Sequence, residues 1–308
     1  MRNLLLIGIF LASIGFYFPS QVHAIAQPPL WQDNFGDELT DLTGEDDDQQ
    51  AINLPFPFPF NGSVFNMAYV GTNGCIQLGG LGKDGEIDYD YWRHMEDFLS
   101  DSDPDNPLIC PFDTDLDLTQ IGTIYYNNSG NPLIITWDGV GTNENELIPV
   151  TFQILLYQDG RIVFNYNGLL VGGDFITDLD EGIVSGITPS DFPFDGEPIV
   201  PGDPGPVDLN QGPFTFGSTV YERWCYDEAN SCGTDGNDTG LPGPVNTAFD
   251  LDSCSISFTP VGNGFNIITS CNEFVKVIPT LSEWGLIAMA GVLGLVGFMA
   301  IRRKKVTA

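Results

Sequence analysis

Asp113, Asp115 and Asp117 alternate within Ile109–Asp117, ICPFDTDLD. On an extended segment alternate residues share one face, so three carboxylates would converge there. Calcium, a hard cation that takes carboxylate and carbonyl oxygens, is the cofactor such a group would hold, and a solvated acidic surface is the competing reading. Asp101, Asp103 and Asp105 repeat the spacing in a loop closed by Pro104 and Pro107. Neither run is an EF-hand, because its sixth position is Leu118 or Asn106 instead of Gly and its twelfth is Ile124 or Phe112 instead of Glu. Glu45-Asp46-Asp47-Asp48 reads as a charge run on a flexible N-terminal arm.

Catalytic constellations are scarce. A Ser-His-Asp or Cys-His arrangement needs a histidine beside its nucleophile, and the chain has His23, inside its N-terminal apolar leader, and His94. No GxSxG, HExxH or P-loop pattern occurs in the sequence. Two carboxylates suffice for a glycosidase, so a secreted carbohydrate-active hydrolase stays as an alternative to a non-enzymatic role. Six cysteines, Cys75, Cys110, Cys225, Cys232, Cys254 and Cys271, include no CxxC pair. In an oxidising compartment an even number reads as disulfides. Spacing suggests Cys225–Cys232, Cys254–Cys271 and Cys75–Cys110 among the 15 connectivities that six cysteines allow.

Both ends of the chain point to that compartment. Arg2 precedes an apolar run, Leu4–Phe18, followed by small residues at Ala24 and Ala26, the layout of a secretory signal peptide covering residues 1–24. It makes the secretory translocon the first expected partner. Near the other end an apolar run from Trp284 to Ile301 is followed by Arg302, Arg303, Lys304 and Lys305. Its 18 residues, at about 1.5 Å each, reach roughly 27 Å, close to the hydrocarbon core of a bilayer. The segment is expected to be a single transmembrane helix, with the four cations as its cytoplasmic stop. Ile278, Pro279, Thr280 and Leu281, then Trp284 and Gly285, resemble the IPTLxxWG variety of C-terminal sorting signal cut by exosortase-type membrane transpeptidases of Gram-negative bacteria. The resemblance implies transient anchoring in the inner membrane, processing by such a transpeptidase, and delivery to the cell surface or extracellular matrix.

Between the ends, residues 25–277 carry 41 acidic residues against Lys83, Arg93, Arg161, Arg223 and Lys276, a net charge of −36. Such a field repels nucleic acid and anionic lipid. The same region is a succession of short β-branched and aromatic runs: Phe65–Val70, Gly74–Leu78, Gly122–Tyr126, Leu133–Trp137, Val150–Tyr157, Arg161–Tyr166, Gly182–Ile187, Ser255–Thr259 and Phe265–Thr269. Asp159-Gly160 predicts a hairpin between Phe152–Tyr157 and Arg161–Tyr166. Ile124–Tyr126 and Leu133–Trp137 should pair across the Asn- and Gly-rich turn between them. The expected fold is all-β, an antiparallel sandwich, with Asp88–Leu99 as its one short helical candidate. A Pro/Gly-rich stretch after Pro201 raises a second domain, but the strands beyond it are too few to bury two faces alone, so 25–277 is expected to be one domain.

Several phrases in order, Leu54–Gly62 (LPFPFPFNG), Tyr69–Gly74 (YVGTNG), Ile109–Asp117 and Phe152–Tyr166, resemble the nidogen-like β domain. The resemblance runs from about Leu54 to Ile187 and departs from the family pattern where Asp113 stands in place of a tryptophan. It implies a sandwich core over about 54–187, closed by later strands over about 214–270. The expected role is adhesion or cohesion at the cell surface, with extracellular polysaccharide or other surface proteins as partners and a calcium-dependent adhesin as a further alternative.

Overall fold

The computed structural model describes residues 27–81, 107–142, 149–167, 183–188, 207–211, 213–216, 220–224, 249–262 and 264–272. The signal peptide, the sorting motif with its apolar run and basic tail, Asp88–Leu99 with His94, Asp101–Asp105, and the Cys225 and Cys232 pair lie outside the described residues.

Among the described residues the chain forms β1 (Asp37–Glu38), β2 (Gln49–Phe60), β3 (Ser63–Gly71), β4 (Ile76–Leu78), β5 (Leu108–Asp113), β6 (Leu116–Asp117), β7 (Thr123–Asn127) and β8 (Leu133–Thr142). It continues with β9 (Pro149–Leu156), β10 (Ile162–Tyr166), β11 (Ile183–Thr188), β12 (Phe214–Phe216), β13 (Val220–Trp224), β14 (Cys254–Val261) and β15 (Gly264–Cys271). The larger sheet runs β1-β7-β8-β9-β10-β14-β15-β12, with β6 also against β8; the smaller runs β13-β11-β5-β4-β3-β2. Every ladder is antiparallel. The fold is an all-β antiparallel sandwich. The late strands join the early ones, β14 pairing with β10 and β13 with β11.

Alternation writes this layering into the sequence. In β2, Leu54, Phe56, Phe58 and Phe60 face the core while Pro55 and Pro57 are exposed, the period of two that a half-buried strand requires. Between the sheets Trp137 stacks on Phe152 at 4.9 Å between ring centroids, Phe112 packs on Phe152 at 5.3 Å, and Phe249 meets Phe112, Tyr166 and Trp224. Aromatic pairs of this kind add about 0.5–1.5 kcal/mol each beyond the area they bury. Polar groups cross the same interface with partners. Trp137 Nε1 donates to the Gly71 carbonyl at 3.1 Å, and the Tyr166 hydroxyl donates to the Pro111 carbonyl at 2.8 Å and lies 2.6 Å from Ser185 Oγ.

Strands β9 and β10 bury both faces: all five residues of β10 are buried. The second cover is residues 27–36, whose Leu30 packs on Ile134, Leu155 and Val163 on the outer side of the larger sheet. Two disulfides tie neighbouring strands. Cys254 and Cys271 stand directly opposite on β14 and β15, and Cys75–Cys110 extends the β4–β5 pairing. With sequence separations of 17 and 35, they stabilise the fold by about 3 and 4 kcal/mol in the chain-entropy description.

Candidate functional site

The turn Thr72-Asn73-Gly74 after β3 organises an acidic corner. Gly74 has φ +83°, and a Cβ there would lie 1.9 Å from the Phe112 carbonyl oxygen, so the turn can approach β5 this closely only as glycine. Asn73, fully buried, accepts from the Leu116 N–H at 2.9 Å and donates through Nδ2 to Asp47 Oδ1 at 2.8 Å. Thr72 and Asp48 exchange two bonds, Asp48 N–H to Thr72 Oγ1 at 3.1 Å and Thr72 N–H to the Asp48 carbonyl at 2.9 Å. The Leu118 N–H donates to the Glu45 carbonyl at 3.2 Å, and Asp46 forms an isolated bridge with Asp117. Glu45–Asp48 is therefore pinned to the sandwich, which corrects the expectation of a flexible arm. Backbone groups of Glu45, Asp46 and Asp48 and the side chain of Asp47 bond to the β3 turn and to β6 or the residue after it, and Asp47 takes a left-handed conformation at φ +49°, which Asp tolerates better than most residues.

The alternating aspartates do not form one face. β5 ends at Asp113, the chain bends at Thr114, and β6 starts at Leu116, so the extended geometry that alternation needs is interrupted between the first residue and the third. Asp113 is buried beside Cys75 and Cys110. Those sulfurs are bonded to each other, which removes the thiolates a metal would take there. Asp115 turns instead towards Asp46 and Asp47; one carboxylate oxygen from each lies within 4.8 Å of the others. Asp117, at the Asp46 bridge, accepts from the Thr119 N–H at 2.6 Å.

Charge accumulates at this corner. Partial burial, with Asp47 and then Asp117 adding repulsion, pushes the Asp46 carboxyl from 3.8 up to about 6. Three converging carboxylates with one of them reluctant to ionise form an oxygen-only ligand set of the kind hard cations take. Asp46 and Asp47 were not recoverable from spacing, since about 70 residues separate them from Asp115; the Asn-Gly turn that carries Asn73 is the local signal nearest to them.

A second acidic group, Asp208, Glu222 and Asp250, lies within the same 4.8 Å limit. Here the carboxylates serve the fold. Glu222 Oε2 accepts from the Leu209 N–H at 2.7 Å, and Asn210 Nδ2 donates to Asp250. Burial first, then Asp208, raises the Asp250 carboxyl.

A comparison with protein families matches residues 28–185 to a domain described as NIDO related. The chain belongs to this NIDO-related family. The match takes in residues 28–53, ahead of the Leu54 start read from the Pro-Phe run, so the acidic corner and the segment covering the larger sheet both fall inside the family's domain. Residues 278–303 match the IPTL-CTERM motif. That sorting motif marks the chain as an exported surface protein processed by an exosortase-type transpeptidase. No solved structure matches the chain.

Proposed function

We propose that this protein is a non-enzymatic, exported binding or cohesion module of a Gram-negative bacterium. It is held briefly in the inner membrane by its C-terminal helix and then processed and delivered to the cell surface or extracellular matrix. The observation that carries the reading is the IPTL-CTERM match behind a NIDO-related sandwich; loops on such a rigid scaffold are where binding residues concentrate. Polysaccharide of the matrix or other surface proteins are the partners proposed. Intact-mass measurement on protein recovered from the surface of its own host tests the route. Mature protein should lack residues 1–24 and the tail peptide Lys304–Ala308, and Pro279→Ala or Trp284→Ala should strand the chain in the inner membrane. Recovery of the tail peptide on surface protein would leave a plain anchored protein in its place. Hydrolysis of a polysaccharide panel, abolished by mutating one carboxylate, would replace the binding role by the hydrolase alternative.

The convergence of Asp46, Asp47 and Asp115 favours one refinement, calcium at the acidic corner. In that reading the ion neutralises the corner and fixes the turn that joins β3, β5 and β6.

A further inference from the structure

Residues 27–36 cross the outer face of the larger sheet, and the sheet grips them by their backbone. The Leu30 N–H donates to Ser255 Oγ at 2.9 Å, and Asn165 Nδ2 donates to the Leu30 carbonyl at 3.1 Å. The Gln32 N–H donates to Gln153 Oε1 at 3.2 Å, while Gln153 Nε2 donates back to the Gln32 carbonyl at 2.8 Å. Asn127 Nδ2 donates to the Asn34 carbonyl at 2.9 Å, and at the far end Asn272 Nδ2 donates to the Gln27 carbonyl.

The gripping side chains stand in register. Thr136 on β8 is opposite Gln153 on β9, Gln153 is opposite Asn165 on β10, and Asn165 is opposite Ser255 on β14. Each is at most 1% exposed. One polar side chain per strand thus forms a row perpendicular to the strands, and its groups bond to one another as well, Gln153 Nε2 to Thr136 Oγ1 at 3.0 Å and Ser255 Oγ to Asn165 Oδ1 at 2.6 Å. Buried amides cost free energy unless hydrogen-bonded, so this row requires an extended chain above it.

We propose that the row is a peptide track whose occupant exchanges between copies of this chain, the 27–36 strap of one copy seating on the track of another. The grip is on backbone groups, and its apolar anchor, Leu30 against Ile134, Leu155 and Val163, is the same in every copy. A second copy therefore offers the track the same bonds as its own strap. The strap also leaves at the sheet's edge: Asn34 meets Asn127 at the end of β7, and β7 is bordered on that side by the two residues of β1. Straightening the chain at Phe35-Gly36 carries the strap off the sheet without threading it through the molecule. Each copy then donates one strap and accepts one, a head-to-tail contact that extends into strings unless the rotation closes a ring.

This deepens the cohesive role proposed above and rests on it for its purpose. The test co-expresses two full chains with different epitope tags in an exporting bacterium, one of them carrying a photoreactive diazirine amino acid at position 30. Irradiation should give a product bearing both tags, with the cross-link mapping from position 30 of one chain to Ile134, Leu155 or Val163 of the other. Leu30→Asp in the acceptor chain loosens that chain's own strap and leaves its track intact, so it should raise the yield of that product roughly tenfold, as expected for loss of one buried leucine anchor from the competing strap. Cross-links confined to single chains, mixed products mapping elsewhere, or a yield indifferent to the altered acceptor would overturn strap exchange. None of those outcomes bears on export or sorting, which the intact-mass measurement reads separately.

Discussion

Asp46 holds its proton to about pH 6 in the folded protein against 3.8 for an ordinary aspartate, through partial burial and the neighbouring Asp47 and Asp117. The folded state therefore binds this proton more tightly than the unfolded chain does. The sign follows: its contribution to stability is full below about pH 3.8, is lost as the pH rises through about 6, and stays lost at neutral pH. Asp46→Asn should raise the melting temperature at pH 7 and flatten its dependence between pH 4 and 6. A residual slope of the same sign should remain from Asp138 and Asp250, both raised chiefly by burial. Thermal melts of parent and variant across that range check this, and matching profiles would mean that Asp46 is not under strain. At this scale the sequence was partly legible. Asp115 was visible as a candidate because its own run announced it, whereas Asp46 looked like one more residue of a charge run, its neighbours being set by a turn remote in sequence.

Strand β2 shows how an element can be read and still be incompletely understood. It lies at the edge of the smaller sheet and turns into β3 through Asn61-Gly62, both residues at positive φ. This is the two-residue hairpin that Asn-Gly favours, and the dipeptide was an available signal for it. In such a hairpin the closing pair Phe60 and Ser63 is hydrogen-bonded, so Pro59 falls on the side facing away from β3, while Pro55 and Pro57 lie in the stretch between Asn53 and Phe58 where the register of the two strands shifts. Prolines at these positions cost the ladder little and leave fewer donors on a strand that borders its sheet among the described residues, the device by which natural sheets discourage edge-to-edge pairing. Pro55→Val with Pro57→Val should leave the fold in place and raise the rate of aggregation, measured by light scattering at constant pH and salt; a melting temperature lowered with no change in aggregation would show that the prolines act on stability instead. The hairpins β7–β8 and β9–β10 were legible because turn chemistry and alternation are local. The division of strands between two sheets was not, since it depends on pairs such as β5 with β11 and β10 with β14, whose partners meet only when the whole chain has folded.

For the whole molecule the governing quantity is charge, −32 over 308 residues. Two such bodies repel, and ions must screen them before any surface contact forms. Self-association, followed by light scattering, should rise with sodium chloride and should rise further with calcium at matched ionic strength. Asp46→Asn with Asp115→Asn should abolish that calcium excess; an excess that survives would move the ion elsewhere, and indifference to both salts would remove the screening mechanism. Composition alone made this property legible, because long-range repulsion depends on the total and little on arrangement. The cross-strand bond between Cys254 and Cys271 has its own bearing on a protein sorted by its C-terminus. A pull applied beyond Asn272 enters β15 at Cys271 and passes straight through the sulfurs to Cys254. The β14–β15 hairpin is thereby bypassed, and about 60 Å of contour, 17 residues at roughly 3.5 Å each, is withheld from extension. Tension arrives instead on the ladder between β14 and β10, in the middle of the larger sheet, and the fold resists traction with its interior and not with its last hairpin.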